Sequence, residues 1–468
     1  MIYDIAVIGA GSGGLSVAAA AAQFGQKVVL FEKGKMGGDC LNYGCVPSKA
    51  LIAAAKHAHA IRKAKDYGIT TNGAKVDFAK VNGYVHEVID SIAPVDSQER
   101  FEGLGVKVIR APARFRDANT IEAEGETYTA RRFVIATGSR AATPPLSGLD
   151  KVPYFTNENL FDNTELPDHL IVIGGGPIGM EMAQAHRRLG SKVTVIEAFD
   201  PLGKDDPELA AVVLDALKGE GVEILAKTPV KSVSRTKSGV RVETATGAKI
   251  EGTHILVAAG RIPNVEDLNL EAAGIAYTKK GVTVDKGLRT TNRRAYAVGD
   301  VAGGLQFTHV AGYHAGLVIR NALFRLPVTN RTDIIPWVTY TDPELANIGL
   351  TEAQARKEHG DAVKVARWPF HENDRARAEG KYVGLVKVVT GKGGRILGAG
   401  IVGAQAGELI QPWVLAMTNG LKIKSFAGMV APYPTLGEAN RRAAISYFSG
   451  LATNPWVRRV IGAMRVFG

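Results

Sequence analysis

The chain contains two cysteines, Cys40 and Cys45, five positions apart in the stretch GKMGGDCLNYGCVPSKALIAAA. Closing so small a loop would add little stability to a chain of 468 residues, so chemistry explains the pair better than stapling does. Glycines precede Cys40, and an alanine-rich run of helical character follows Pro47, which puts the pair at a helix start. There the helix dipole and the nearby Lys49 favour the thiolate, the reactive form of cysteine. No further cysteine exists to complete a zinc thiolate site, so a redox-active pair is expected and no metal site is.

A second feature occurs twice. The apolar run from Ile5 to Ile8 leads into Gly9, Gly11 and Gly14, then into an alanine-rich helix ending near Gln26; a further apolar run, Lys27 to Phe31, closes at Glu32. The same order returns at Leu170 to Ile173 with Gly174, Gly176 and Gly179, a helix through Leu189, and a strand from Lys192 to Ile196 closing at Glu197. In both units the acidic residue stands 23 positions after the first glycine. Such spacing suits a strand, a tight turn and a helix whose unpaired N–H groups and dipole hold a pyrophosphate. Two dinucleotides are therefore expected, with Glu32 and Glu197 accepting from ribose hydroxyls. Glu197 would repel the 2′-phosphate of NADP, so NADH is the favoured donor.

The elements that carry these residues need several domains. At 46% hydrophobic and 22% charged residues the composition is that of an ordinary globular chain. No run of eighteen apolar residues is present, and the opening MIYDIAVIGAG lacks a basic leader, so a cytoplasmic location is expected. A formal charge of +11 is spread along the chain without a dense basic block, which argues against nucleic acid as a partner.

The segment GGDCLNYGCVPSK resembles the active-site motif of the class I pyridine nucleotide-disulfide oxidoreductases, a family that includes dihydrolipoamide dehydrogenase, glutathione reductase and mercuric reductase. VIATGS from Val134 to Ser139, with Thr137 and Gly138, VAAGRIPN from Val257 to Asn264, with Gly260, and AVGD from Ala297 to Asp300 are similar to further family landmarks. The resemblance implies FAD as cofactor, with Asp300 on its ribityl chain. It implies that Cys45 is the thiolate nearer the flavin and Cys40 the interchange thiol that meets substrate. Lys49 and Glu181 match the family's charged pair beside the flavin ring. The implied fold class is α/β, with two Rossmann-like dinucleotide-binding domains and a C-terminal mixed α/β dimerisation domain. The expected segments are FAD-binding 1–149, NAD-binding 150–258, FAD-binding again 259–335, dimerisation 336–450 and a tail 451–468.

Near the C-terminus the sequence departs from the disulfide-reducing members. Where they carry a His-Pro-Thr motif and a glutamate, this chain reads APYPTLGEANRRAA, with Tyr433 in the histidine position and Glu438 keeping the carboxylate. The resemblance implies a homodimer in which Tyr433 and Glu438 reach Cys40 of the partner subunit. A phenol with a reference pKa near 10 is a poor base at neutral pH, which argues against dihydrolipoamide dehydrogenase. Tyrosine here is similar to mercuric reductase, as are FTHVAGYHA (Phe307 to Ala315) and HENDRARAEG (His371 to Gly380). That enzyme's C-terminal vicinal cysteines and N-terminal metal-binding domain are missing from this sequence. The expected activity is thus a mercuric-reductase-like transfer from NADH through FAD and the cysteine pair to a small electrophile, soft metal ion, quinone or oxidised sulfur acceptor. A redox-sensing or membrane-associated scaffold is the contrasting class. His309 is a candidate replacement base or a structural histidine. In the tail Asn454 caps a helix begun by Pro455, with Trp456, Val460, Met464 and Phe467 on one face and Arg458, Arg459 and Arg465 off it, which suits contact with a membrane or with the dimer surface.

Overall fold

The computed structural model describes residues 1–467. It resolves into two compact units, one built from residues 1–198 and 223–331, the other from 199–222 and the chain from 332 onward.

In the first unit, Ile2–Ile8 runs parallel to Val28–Phe31 on one side and to Glu126–Ile135 on the other, so that Val7 pairs with both Leu30 and Val134. Lys107–Ile109 extends the sheet beyond Val28–Phe31, and Ala295–Ala297 pairs with Glu126–Ile135. All four residues of Val28–Phe31 are buried, as an inner parallel strand covered on both faces requires. The helices Ser12–Gln23 and Thr308–Ala322 contribute Leu15, Val17, Val318 and Ile319 to the core against this sheet. The first helix ends at Gln23, short of Gln26, where Gly25 adopts a left-handed φ of 71°.

The second glycine unit forms the same structure. His169–Ile173 lies between Lys192–Ile196 and His254–Val257, all parallel, with Val222–Leu225 at the edge. Helix Pro177–Leu189 follows the glycines, with proline at its start, where a missing N–H costs nothing. The chain then returns through Arg261–Pro263, which pairs with Ser139–Ala141, and rejoins the first sheet at Ala295–Ala297. One dinucleotide-binding module is inserted within another.

The second unit is a five-stranded antiparallel sheet in the order Pro336–Thr339, Glu344–Gly349, Ile396–Gly403, Leu385–Thr390, Lys364–Pro369. Its core holds Trp413, fully buried and stacked on Phe426 with ring centroids 3.6 Å apart, its indole N–H donating to Asn440 at 2.9 Å. The fold is therefore α/β with two Rossmann-like modules and a mixed α/β C-terminal unit.

The expected NAD-binding block 150–258 contains a stretch, 199–222, that packs with this second unit instead. Specific polar contacts explain its placement. Asp205 accepts from the Trp337 indole at 2.7 Å and from Asn347 at 2.8 Å. The Lys387 ammonium, with a side chain only 5% exposed, meets Asp206 at 2.8 Å, Glu208 at 2.8 Å and Glu352 at 2.9 Å. Arg367 adds a second cation, bonded to Glu208 and Glu352 at 2.9 and 2.8 Å. Removing one partner from a buried ionic cluster leaves uncompensated charge, so Lys387→Met should destabilise the protein by about 3 kcal/mol or more. Chemical denaturation of wild type and variant checks this; a change below about 0.5 kcal/mol would show that Arg367 alone neutralises the carboxylates.

Candidate active site

Cys40 lies in the short helix Gly38–Asn42, and Cys45 is the first residue of the helix Cys45–Lys63, two positions earlier than Pro47 suggested. Gly37, left-handed at φ 84°, and Gly44 make the two tight entries. Both cysteines are free thiols, Cys40 half-buried and Cys45 with an open surface, although neighbouring groups crowd Cys45 on most sides. They do not share the acidity evenly. Cys40 donates a hydrogen bond to Cys45, and against the opposing effect of burial this bond, the Thr308 hydroxyl at 3.2 Å and the charge of Lys49 bring Cys45 down to about 6. The same bond, burial and the negative charge on Cys45 push the Cys40 thiol up. The groups around the pair thus favour the negative charge on Cys45 and the proton on Cys40.

One helical turn past Cys45, Lys49 donates to the buried Glu181 carboxylate at 2.7 Å. Glu181 belongs to the helix of the second glycine unit, so this ion pair joins the cysteine helix to that unit.

The two glycine turns have nearly the same geometry. Gly9 and Gly174 take φ of 105° and 115°, and a Cβ placed on Gly14 or Gly179 would stand 1.8 or 2.0 Å from the carbonyl oxygen of Gly9 or Gly174. Only glycine permits that approach. Gly11 and Gly176 sit at the helix starts without side-chain caps, and a Cβ on Gly176 would project into open space. Glu32 accepts from the Ala10 amide, and Glu197 from the Gly175 amide, both at 2.6 Å.

The remaining motifs meet one another. Thr137 donates through its hydroxyl to the Asn264 carbonyl at 2.7 Å, Gly138 is left-handed at φ 67°, and Gly260, at φ 123°, accepts from the Ala142 amide. Asp300 accepts from Ser139 at 2.5 Å and lies 3.7 Å from Arg261, which also reaches Asp39 at 3.1 Å; burial raises the Asp300 carboxyl.

Tyr433 and Glu438 belong to the second compact unit. Tyr433 is exposed, and its hydroxyl donates to Asp374 at 3.0 Å, a contact that raises the phenol above its ordinary value. Asn373, buried next to Asp374, donates to the Thr435 carbonyl at 3.0 Å, so the segment HENDRARAEG holds the tyrosine loop by two bonds. Glu438 opens the helix Glu438–Ser446 and pairs with Arg442 at 3.0 Å. His309 is exposed and stacks on Phe307, centroids 5.3 Å apart.

Comparison with known proteins matches residues 3–315 to the pyridine nucleotide-disulphide oxidoreductase family and residues 335–444 to that family's dimerisation domain. The chain belongs to the pyridine nucleotide-disulphide oxidoreductases. It is 35% identical to a mercuric reductase of Bacillus cereus over 451 residues, covering 95% of this chain and 71% of that one. It is 36% identical to a dihydrolipoyl dehydrogenase of Geobacillus stearothermophilus over 458 residues, covering 94% of each. Among solved structures it resembles LpdA of Mycobacterium tuberculosis, with a TM-score of 0.87 at 28% identity over 94% of this chain and 99% of that one. The HOCl-induced flavoprotein disulfide reductase RclA of Escherichia coli gives 0.85 at 29% over 95% and 99%.

Oxidoreductases of this family use FAD and NAD(P)H. The residues present fit both groups: each glycine cradle offers a bare helix N-terminus to a pyrophosphate, and each strand-end carboxylate lies against its own turn. Three partners of the candidate residues escaped the sequence reading. Thr308 and Asp374 stood inside quoted motifs, but their partners Cys45 and Tyr433 lie 263 and 59 residues away. Arg261 follows Gly260 directly, and nothing local shows that it bridges Asp300 and Asp39.

The asymmetry of the pair can be titrated. In the dithiol holoprotein, the long-wavelength absorbance of a thiolate beside flavin should appear as pH rises through about 6. Because Thr308 and Lys49 both stabilise the thiolate, Thr308→Val and Lys49→Met should each move the midpoint upward, and Cys45→Ser should abolish the band. Loss of the band in Cys40→Ser but not in Cys45→Ser would reverse the assignment.

Proposed function

We propose that the chain is an NADH-dependent flavin oxidoreductase, acting as a homodimer, that passes electrons through the Cys40/Cys45 pair to a small acceptor other than a dithiol carrier. The acceptor class is a soft metal ion, a quinone, a small electrophile or an oxidised sulfur species. The observation that carries this reading is the Tyr433–Asp374 hydrogen bond. A phenol already donating to a carboxylate, and raised by it, is deprotonated at neutral pH even less than a free tyrosine and is a poor replacement for an imidazole in moving protons to and from a dithiol. Mercuric reductases among the relatives, and the Cu(II) complex in which RclA has been solved, are precedents for a metal-ion acceptor.

FAD, held by the Gly9–Gly14 turn, Glu32 and Asp300, would supply two-electron chemistry between NADH and the disulfide. The chain's own groups do the rest. Lys49, held by Glu181, supplies positive charge beside Cys45 and stabilises negative charge that builds there. Cys45 keeps that charge as a thiolate, and Cys40 keeps the proton until it attacks or binds the acceptor. Glu197, at the end of its strand, favours a free ribose 2′-hydroxyl over a phosphate, the basis for preferring NADH to NADPH. Segments 1–149 and 259–335 form the FAD-binding part, 150–258 the NAD-binding part apart from its 199–222 excursion, and 336–450 the dimerisation part.

Steady-state turnover with NADH and a panel of lipoamide, Hg(II), Cu(II), quinones and oxidised sulfur compounds tests the reading, with Tyr433→His alongside. Lipoamide should be slow for the wild type and at least about tenfold faster for Tyr433→His, in line with general-base contributions of 10²–10⁴. Rapid lipoamide turnover by the wild type would make the protein a dihydrolipoamide dehydrogenase with another base. A purified protein unable to take up FAD would bring the scaffold reading forward.

A further inference from the structure

Past residue 444, where the match to the dimerisation domain stops, the chain continues into a short helix, Ser449–Thr453, and then a longer one, Pro455–Met464. The longer helix has a well-formed start: Asn454 accepts from the Trp456 and Val457 amides at 2.9 and 3.4 Å, and proline takes the first position. Yet from Leu451 to Phe467 every residue except Val457 is exposed, Trp456 by 72% and Met464 by 62%. A ten-residue helix is marginal in water without a surface to cover one side.

Its pattern says what that surface is. At 100° per residue, Trp456, Val460, Met464 and Ile461 fall within an arc of about 140°, while Arg458, Arg459 and Arg465 all lie on the other half. No acidic residue follows Glu438 in the sequence. We propose that this tail is an in-plane anchor for an anionic lipid surface, its aromatic and aliphatic arc entering the headgroup boundary and its arginines meeting lipid phosphates. A helix of this length reaches about 15 Å, half the thickness of a hydrocarbon core, so it lies on a bilayer rather than crossing it. A second copy of the chain is the less suitable cover, because a twofold contact through the apolar arc would bury that arc but leave the three arginines facing water with no carboxylate on the tail to pair them. The anchor is independent of which acceptor the enzyme reduces.

The test uses the holoprotein with vesicles of phosphatidylcholine alone and of phosphatidylcholine with about one-third phosphatidylglycerol, read by co-sedimentation. Binding should occur on the anionic vesicles only and fall with added salt. Truncation after Gly450 and the triple variant R458E/R459E/R465E should each lower the partition coefficient on the order of a hundredfold, with NADH oxidation by a water-soluble acceptor unchanged. The proposal is overturned if the holoprotein does not bind, or if the truncated protein binds equally well. It is also overturned if truncation converts dimer to monomer in light scattering while vesicle partition stays the same, since the face would then be a subunit contact.

Discussion

The two glycine turns and the cysteine helix joined to one of them depend on one steric constraint, the pressing of a helix start onto the carbonyl at the end of a strand. Gly14 against Gly9 and Gly179 against Gly174 approach so closely that no side chain fits, and the contact fixes the angle at which each helix leaves its sheet. From the second of these contacts a chain of placements follows. Helix Pro177–Leu189 is set by Gly179, Glu181 lies two residues further on, its carboxylate holds Lys49 at 2.7 Å, and Lys49 is one turn from Cys45. A methyl group added at Gly179 would therefore disturb the electrostatics of a cysteine 134 positions earlier in the chain. The nucleotide cradle and the redox pair are one mechanical object.

Within that object the decisive quantity is a single proton. Two adjacent thiols cannot both ionise cheaply, so the groups around them choose which one does. The choice is made by geometry that favours Cys45: it opens a helix, faces the Thr308 hydroxyl, accepts from Cys40 and feels Lys49. Asp39, held by Arg261 and Asn157, opposes the charge on Cys45 but is itself partly neutralised by that arginine. Arg261 in turn stands near Asp300, so the half-buried carboxylate of the AVGD turn and the negative charge beside the cysteines share one cation.

The sequence made some of this legible and concealed the rest for a physical reason. Strand, glycine turn and helix are local: the apolar runs, the two glycine sets and the acidic residue 23 positions on needed no tertiary information, and both units fold that way. A pairing across 132 residues was legible only through the family resemblance, which singled out Lys49 and Glu181. Thr308 on Cys45 and Asp374 on Tyr433 are surface-compatible polar residues whose meaning comes only from what the fold brings beside them. The placement of 199–222 was hidden for the same reason. Lys387 in the strand LVKVVT reads as an interruption of an apolar run, and only the structure shows Asp206, Glu208 and Glu352 converging on it.

On the proposed reading, the acid–base poverty of the tyrosine site also narrows the acceptor. Cys40 holds its proton more firmly than an ordinary thiol, and Tyr433, bound to Asp374, does not remove it. A disulfide substrate then fares badly, because attack needs the Cys40 thiolate and the departing thiolate needs a proton returned. A soft metal ion escapes the difficulty, since binding to sulfur itself drives the proton off. A quinone escapes it differently, because its reduction consumes two protons along with two electrons, one from Cys40 and one from solvent, so the proton on Cys40 becomes a reactant rather than an obstacle. On that reading, tyrosine where the disulfide-reducing relatives of the sequence motif carry histidine favours acceptors that either expel the thiol proton or use it.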